Sequence, residues 1–217
     1  MDGDAARLAC NRVIERLAGT RPDHRPEHWR IGALQAPQAA SLFASSMEAL
    51  LLRAPQPAAV LVGMTSRQGD PGILLTVRAA HLRRHAGQIS FPGGSIEPGD
   101  AGPAAAALRE AQEEVGLEAR DAEIVGFLPD QLLLSGYRVT PVVARIAGDF
   151  EPRYDPAEVQ DSFVLPWSTL LDDASLGETV RRIAGREVMT QDIRYGSYRI
   201  WGATAGILLA LRELVQE

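Results

Sequence analysis

Three glutamates, Glu110, Glu113 and Glu114, follow a glycine-rich turn in the stretch FPGGSIEPGDAGPAAAALREAQEEVGL. Residues three or four apart are neighbours on a helix, where like charges repel each other. Arg109 is expected to point to the side of this cluster, so the segment itself offers the three carboxylates no evident cationic partner. Clustered carboxylate oxygens suit a hard divalent cation, and Mg²⁺ commonly bridges carboxylates to a phosphate. The pattern predicts a Mg²⁺ site at the three glutamates, with Mn²⁺ as a substitute.

An exposed helix can also carry three glutamates simply as a solvated face, and the helix alone leaves that alternative open. The preceding glycine pair, Gly93 and Gly94, lets the chain turn sharply and brings backbone N–H groups close to another object. The order of these features along the chain is a more specific signal than either feature alone. Gly94 is followed by a short loop that holds Glu97 and Asp100, and then by REAQEEVGL.

The glutamates must be positioned by a helix over residues 103–115. Pro103 suits a first helical turn, Gly116 suits a helix C-cap, and the residues between are rich in alanine. At about 100° per residue the apolar side chains gather on one face and the glutamates on the nearly opposite one. The apolar face comprises Ala104, Leu108, Ala111 and Val115.

The rest of the chain shows an α/β pattern. An amphipathic helix over 5–18 and a proline-containing linker over 20–30 precede a second helical segment at 37–53. Short apolar runs bounded by turn residues predict strands, and an amphipathic helix closes the chain. The predicted strands are 58–64, 72–78, 123–128, 137–146, 162–167 and 193–201, and the closing helix is 203–217. We therefore expect an N-terminal helix and linker over 1–30 and a main domain over 31–217.

Composition narrows the class of protein. A net charge of −6 and a pI of about 5.3 give no overall basic field, so we expect no nucleic-acid partner. No apolar run approaches the roughly 18 residues of a membrane span, and the first residues are acidic where a signal peptide would be basic. The single cysteine, Cys10, fits a reducing compartment. These features predict a cytoplasmic protein that does not bind a membrane.

The glutamate segment resembles the signature box of the Nudix hydrolases, enzymes that cleave a nucleoside diphosphate linked to another group. Asp100 stands where the family pattern has its first glutamate, and eight residues rather than seven separate it from Arg109. The residues that match the box are Gly94, Arg109, Glu110, Ala111, Glu113, Glu114, Gly116 and Leu117.

An upstream motif, LLTVRAAHLRRHAGQISFPGG, is similar to one found in the branch of this family that hydrolyses coenzyme A. Ala79 replaces the serine of that motif, whereas the other specified positions are present. SGYRVTPVV and WGATAGIL also resemble that branch, so the resemblance extends from about residue 57 onward. The motif matches at Leu74, Leu75, Thr76, Arg78, Arg83, Gly87, Phe91, Pro92, Gly93 and Gly94.

The resemblance implies a Nudix-type α/β/α sandwich with a mixed, curved sheet and an enzyme that needs Mg²⁺. Glu110 and Glu114 would hold the metal, with Glu113 as a further ligand or as the base, and Arg109 would orient the glutamates. Which carboxylate takes the proton stays open. The residues implied in substrate binding are Arg78, Arg83, Gly87, Phe91, Gly93 and Gly94, of which the two arginines are expected to hold phosphates.

The leading functional hypothesis is hydrolysis of coenzyme A or acyl-coenzyme A to adenosine 3′,5′-bisphosphate and a 4′-phosphopantetheine. The alternative is a Nudix hydrolase for NADH, ADP-ribose or a nucleoside triphosphate. A third hypothesis, a catalytically silent binding module, is disfavoured because the glutamates and Arg109 of the box are intact. Two roles are open for the N-terminal helix: it covers the pocket, or it contacts a second subunit of a homodimer.

Overall fold

The computed structural model of the protein describes residues 3–31, 54–82, 85–183 and 186–216. The helix predicted at 37–53 lies outside these residues. No helix in the described ranges combines the length and the apolar character that crossing a membrane requires. The described helices are α1 (Gly3–Leu17), α2 (Pro103–Val115), α3 (Trp167–Leu171) and α4 (Gly202–Gln216).

The strands form a mixed sheet and a smaller antiparallel sheet. The strands are β1 (Gln56–Arg67), β2 (Asp70–Arg78), β3 (Ile89–Ser90), β4 (Gly93–Ser95), β5 (Ala122–Phe127), β6 (Gln131–Leu132), β7 (Tyr137–Asp149), β8 (Val159–Pro166), β9 (Leu176–Ile183), β10 (Arg186–Tyr195) and β11 (Tyr198–Ile200). In the mixed sheet the order is β3-β2-β1-β7-β5, with β4 paired to β1, β6 to β7 and β8 to β2. The hairpin partners β1 and β2 are antiparallel, whereas β1 and β7 are parallel, which makes the sheet mixed.

The smaller sheet, β11-β10-β9, corrects the sequence prediction. The run 193–201 was expected to be one strand, but a turn with Gly196 in the left-handed region divides it between β10 and β11. Most of the β9–β10 hairpin was not predicted, because charged residues interrupt its apolar positions and leave no apolar run.

Helices cover both faces of the mixed sheet. Side chains alternate across a strand, so Leu61 of β1 packs toward α2 while the adjacent Val62 packs toward α1 and α4. This arrangement confirms the α/β/α sandwich with a mixed sheet. The cluster beneath α2 consists of Ala59, Leu61, Leu74, Ala106, Ala107, Ala111, Val115, Leu117, Val142, Ala144 and Ile146.

The N-terminal segment packs onto the same sandwich. Ala9 and Val13 of α1 are buried in the hydrophobic cluster that also contains residues of α4. Two contacts with the buried Asp130 fix the linker to the sheet. Nδ1 of His24 lies 2.8 Å from Oδ2 of Asp130, and the Arg30 N–H donates to the Asp130 carbonyl at 2.8 Å. The segment therefore stabilises the sheet edge that carries β6.

Candidate active site

Helix α2 begins and ends as its sequence predicts, but its acidic face is not simply exposed. Pro103 occupies the first turn, and Gly116 adopts a left-handed conformation with φ of 72° and caps the C-terminus. Glu114 is only 2% exposed. The chain segment that follows β7 packs against the last turn of α2, where the Arg153 and Asp155 N–H groups donate to the Val115 and Glu114 main-chain carbonyls. One glutamate of the predicted cluster is thus part of the interior.

Burial changes the chemistry of the Glu114 carboxyl. Desolvation raises its pKa to about 8, and the negative charges of Glu158 and Glu110 act in the same direction. The Arg78 charge and a hydrogen bond from the Gly93 backbone lower the pKa but do not offset burial. Among the described residues, the Oε2 atom of Glu114 has no hydrogen-bond partner. A buried carboxyl in this state needs either a proton or a cation.

The glycine pair places the chain against the glutamates. A Cβ atom on Gly94 would lie 2.4 Å from Oε1 of Glu110, so the glycine lets this carboxylate lie directly against strand β4. A Cβ on Gly93 would meet the Ala59 carbonyl oxygen at 2.4 Å, and its φ of 156° also favours glycine. The Glu110 carboxyl is half-buried as a result, and this burial raises its pKa.

Arg109 does not point to the side of the cluster, as the helical projection indicated. Its Nη1 donates to Glu110 Oε1 at 3.0 Å and to Glu113 Oε2 at 3.2 Å. The remaining donors bind the loop, with Nε and Nη2 on the two oxygens of Asp100 and Nη2 also on the Ser95 carbonyl. The long side chain bends back across its own helix, which a projection from Cα positions cannot show. Two glutamates therefore have a cationic partner.

Asp100 has an identifiable structural role. It accepts from Arg109 through both carboxylate oxygens and from the Glu97 N–H at 2.8 Å. The hydrogen bonds from Arg109 keep the pKa of Asp100 below its usual range. This aspartate, in the place of the family's first glutamate, fixes the orientation of the arginine that contacts Glu110 and Glu113.

Glu113 differs from its two neighbours because 60% of its side chain is exposed. Within the described part of the chain, no three acidic, histidine or cysteine side chains are already arranged to hold a metal ion. The donor set nevertheless fits a divalent cation: all donors are carboxylate oxygens, and the buried Oε2 of Glu114, which has no partner among the described residues, would gain one from a cation. Glu110 and Glu114 are the residues that would hold it, and the exposed Glu113 lies on the same helix.

Arg78 connects the upstream motif to the box. Its Nη1 lies 3.8 Å from Oε1 of Glu114, and its buried Nε has no hydrogen-bond partner among the described residues. The pairing of β2 with β8 shifts register between Val77 and Arg78, and such a bulge re-aims a side chain at the strand end. The other predicted phosphate-binding arginine, Arg83, lies outside the described residues.

The loop that follows Arg78 is closed by backbone hydrogen bonds. The Gly87 N–H donates to the Arg78 carbonyl at 3.1 Å, and Gly87 takes a left-handed φ of 68° in open space. Ala79, which replaces the serine of the upstream motif, is buried, and its N–H donates to the Glu158 carbonyl. Gly87 therefore shapes this loop, and its location gives no direct evidence of a substrate contact.

A cavity of about 800 Å³ opens beside Arg78. This volume is within the usual range for a small-molecule site. Phe91, expected to bind substrate, is buried and contributes to its wall. The lining residues are Ile31, Val60, Arg78, His85, Gln88, Ile89, Ser90, Phe91, Leu132, Leu133, Leu134, Ser135, Val139, Arg181, Arg182, Thr190, Trp201, Gly202, Ala203, Thr204 and Ile207.

Two parts of this site, Glu158 and the arginines of β9, were not predicted from the sequence. Glu158 raises the pKa of both Glu110 and Glu114, and it precedes Val159, which pairs with Arg78 across the sheet. The β9 arginines of the cavity were missed because the strand itself was not predicted. The local sequence pattern carried no signal for either part, since both depend on strand pairing.

Comparison with known proteins identifies the family. A family model described as the NUDIX domain matches residues 54–184. The Nudix hydrolase NudL of Escherichia coli strain K12 is 43% identical over 162 residues, which cover 72% of this chain and 80% of NudL. NudL of Shigella boydii serotype 18 matches with the same identity and coverage. The crystal structure of a MutT/nudix family protein from Enterococcus faecalis has a TM-score of 0.51 at 12% identity, covering 83% of this chain and 73% of that protein.

The matched range includes the arginine of the upstream motif, the glycine pair and the whole of α2. The Enterococcus protein supports the fold alone, because its sequence is distant. NudL supports the family through sequence identity over most of both chains. The chain therefore belongs to the Nudix hydrolase family and is an enzyme that acts on pyrophosphate-containing substrates.

Proposed function

We propose that the enzyme hydrolyses the pyrophosphate bond of coenzyme A or acyl-coenzyme A, with Mg²⁺, to give adenosine 3′,5′-bisphosphate and a 4′-phosphopantetheine. The observation that carries this proposal is the cavity that opens beside Arg78, where the upstream motif and the box meet. A coenzyme A molecule is too large for the glutamate cluster alone and needs such an adjoining space.

Glu114 and Glu110 are the proposed metal ligands. The cation supplies charge neutralisation of the phosphate oxygens and polarisation of a bound water. The buried Glu114 offers an oxygen with no other partner among the described residues, and Gly94 leaves room for the Glu110 carboxylate. Glu113 is exposed and held by Arg109, so it can serve as a further ligand or as the base that accepts the water proton.

Arg109 is proposed as a positioning residue. Its guanidinium joins the loop at Ser95 and Asp100 to Glu110 and Glu113, and its donors are used for these contacts. Such hydrogen bonds orient ligands without touching the substrate. Water attacks one phosphorus of the substrate, the bond to the bridging oxygen breaks, and the other phosphate leaves with that oxygen.

Arg78 is proposed to bind the scissile pyrophosphate. Its guanidinium faces Glu114 on one side and the cavity on the other, and its Nε has no hydrogen-bond partner among the described residues. A planar guanidinium suits phosphate oxygens. With Glu114 holding a metal ion, Arg78 would be available to direct its donors toward the phosphates.

The test is a comparison of kcat/KM for coenzyme A, NADH, ADP-ribose and a nucleoside triphosphate with the same purified protein. Preference for coenzyme A, with adenosine 3′,5′-bisphosphate as the nucleotide product, supports the proposal. Preference for NADH, ADP-ribose or the triphosphate would leave pyrophosphate hydrolysis as the reaction but would exclude coenzyme A as the preferred substrate. A protein that binds one of these nucleotides and cleaves none would instead be the silent module.

A further inference from the structure

The small antiparallel sheet supplies part of the cavity wall. Arg181 on β9 and Trp201, which follows β11, both line the cavity that begins at Arg78. These residues lie outside the box and outside the upstream motif. The cavity therefore has a cationic and aromatic region that the hydrolysis of a pyrophosphate does not itself require.

Arg181 is held in place by the indole ring. Its guanidinium carbon lies 4.0 Å from the centroid of the Trp201 ring, within the range of a cation–π interaction. Its Nε is buried and has no hydrogen-bond partner in the described part of the chain. A stacked guanidinium presents its remaining donors edge-on, in a fixed orientation. Arg181 thus lines the cavity with a guanidinium whose Nε has no partner among the described residues.

The charges around Arg181 leave this region positive. The buried Asp192 accepts from Arg199 Nε at 2.7 Å and lies 3.6 Å from Arg194 Nε, so two other arginines already share this carboxylate, whose charge also acts on Arg181. Burial and the nearby Arg199 charge lower the pKa of Arg181, whereas the Asp192 charge raises it. Arg182 adds less to the positive charge of this region, because its partner across the hairpin is the acidic Glu187.

The start of α4 adds to the positive potential. Gly202, Ala203 and Thr204 line the cavity and form the first turn of a helix 15 residues long. The first N–H groups of a helix have no partner within it and favour an anion. The Thr204 hydroxyl is already used, since it donates to the Ile89 carbonyl at 3.0 Å. Backbone donors and Arg181 therefore border the same cavity.

We infer that Arg181, stacked on Trp201 and supported by the first turn of α4, binds a second phosphate group of the substrate, separate from the scissile pyrophosphate. Arg78 cannot serve both groups, because it faces the Glu114 carboxylate at the reacting end. The substrate class is a nucleoside diphosphate derivative with an additional phosphate on its ribose. This inference rests on the proposed function and assigns the 3′-phosphate of coenzyme A to Arg181.

The kinetic test compares coenzyme A with 3′-dephospho-coenzyme A in the wild type and in Arg181→Gln. The wild type should prefer coenzyme A, and Arg181→Gln should lose about 10- to 100-fold in kcat/KM on coenzyme A while changing little on the dephosphorylated substrate. Arg181→Lys should retain part of the preference. Arg145→Gln is the matched control, since Arg145 is 62% exposed and pairs with Glu123 away from the cavity.

An equal loss on both substrates would overturn the inference, and so would an unchanged preference in the variant. Calorimetric binding of adenosine 3′,5′-bisphosphate and of adenosine 5′-monophosphate, both with EDTA, tests the site without turnover. The wild type should bind the bisphosphate more tightly, and Arg181→Gln should bind the two equally. If the wild type cleaves neither coenzyme A form, the proposed function fails, and the binding comparison alone then decides for or against the second phosphate site.

Discussion

The guanidinium of Arg78 lies 3.8 Å from the carboxylate of the buried Glu114. This contact joins the end of strand β2 to the end of helix α2, so the upstream motif and the glutamate box form one site. It also explains how a carboxyl that is 2% exposed retains a favourable charge partner. The contact places the arginine proposed to bind phosphate beside a residue proposed to hold the metal.

Replacing the buried carboxylate should abolish most of the activity. Glu114→Gln keeps the shape of the side chain but removes an anionic oxygen that would bind Mg²⁺, so kcat should fall by at least about 100-fold. The fold should persist, because glutamine fits the same space. Turnover under saturating substrate and the far-UV circular dichroism spectrum check both statements. Full activity in a folded variant would show that another carboxylate is essential.

Gly94→Ala should disturb Glu110 specifically. The new Cβ would lie 2.4 Å from Glu110 Oε1 and would push the carboxylate aside, so kcat should fall about 10- to 100-fold. Stability should change little, because the displaced atoms are the end of a side chain. Gly99→Ala is the matched control, since a Cβ there meets no atom within 4 Å. Equal activity in the two variants would contradict the proposed role of Glu110.

Local sequence was sufficient for helix α2 and for the central strands, because caps, alanine content and apolar runs act over short distances. Local sequence did not predict the position of a side chain or strand that depends on contacts with distant segments of the chain. Glu114 is buried beside Arg78, which lies on a distant strand, and Arg109 bends back to donate to Asp100 in the preceding loop. The hairpin that carries Arg181 has no apolar run, so its strands form through pairing rather than through a local pattern.

Asp100→Asn should weaken the orientation of the arginine. An amide offers one oxygen and an NH2 donor, so it cannot accept Nε and Nη2 of Arg109 on two separate oxygens, and Glu110 and Glu113 lose part of their support. We expect kcat to fall about 10-fold, with KM for substrate nearly unchanged, because neither residue contacts substrate in this account. Asp70→Asn, on an exposed position of the β1–β2 hairpin, should behave like the wild type. A selective rise in KM would instead indicate substrate binding by Arg109.

Stability of the metal-free protein should fall as the pH rises. The Glu114 pKa is about 8 in the folded protein, against a reference of 4.5, so between these values the folded state binds a proton that the unfolded state lacks. The contribution of this protonated carboxyl to the free energy of unfolding is fully present below about pH 4.5 and is lost as the pH rises through 8. The free energy of unfolding should fall by at most about 1.4 kcal/mol per pH unit in this range. Urea unfolding in EDTA should show this slope in the wild type, and Glu114→Gln should lack it. Identical slopes in both proteins would contradict the burial argument.

Magnesium should stabilise the folded protein through the same carboxyl. A cation that binds only the native state stabilises by mass action, by about 2.7 kcal/mol at 100 times Kd. The melting temperature of the wild type should therefore rise with Mg²⁺ concentration at pH 8, and that of Glu114→Gln should rise much less. A wild-type melting curve that does not respond to Mg²⁺ would argue against the metal site.

The most direct test of the account is the release of adenosine 3′,5′-bisphosphate from coenzyme A by the purified protein, measured by chromatography with Mg²⁺ and with EDTA in parallel. The account predicts stoichiometric release of the bisphosphate and 4′-phosphopantetheine with Mg²⁺ and none with EDTA. Absence of release from coenzyme A under conditions in which NADH or ADP-ribose is cleaved would contradict it.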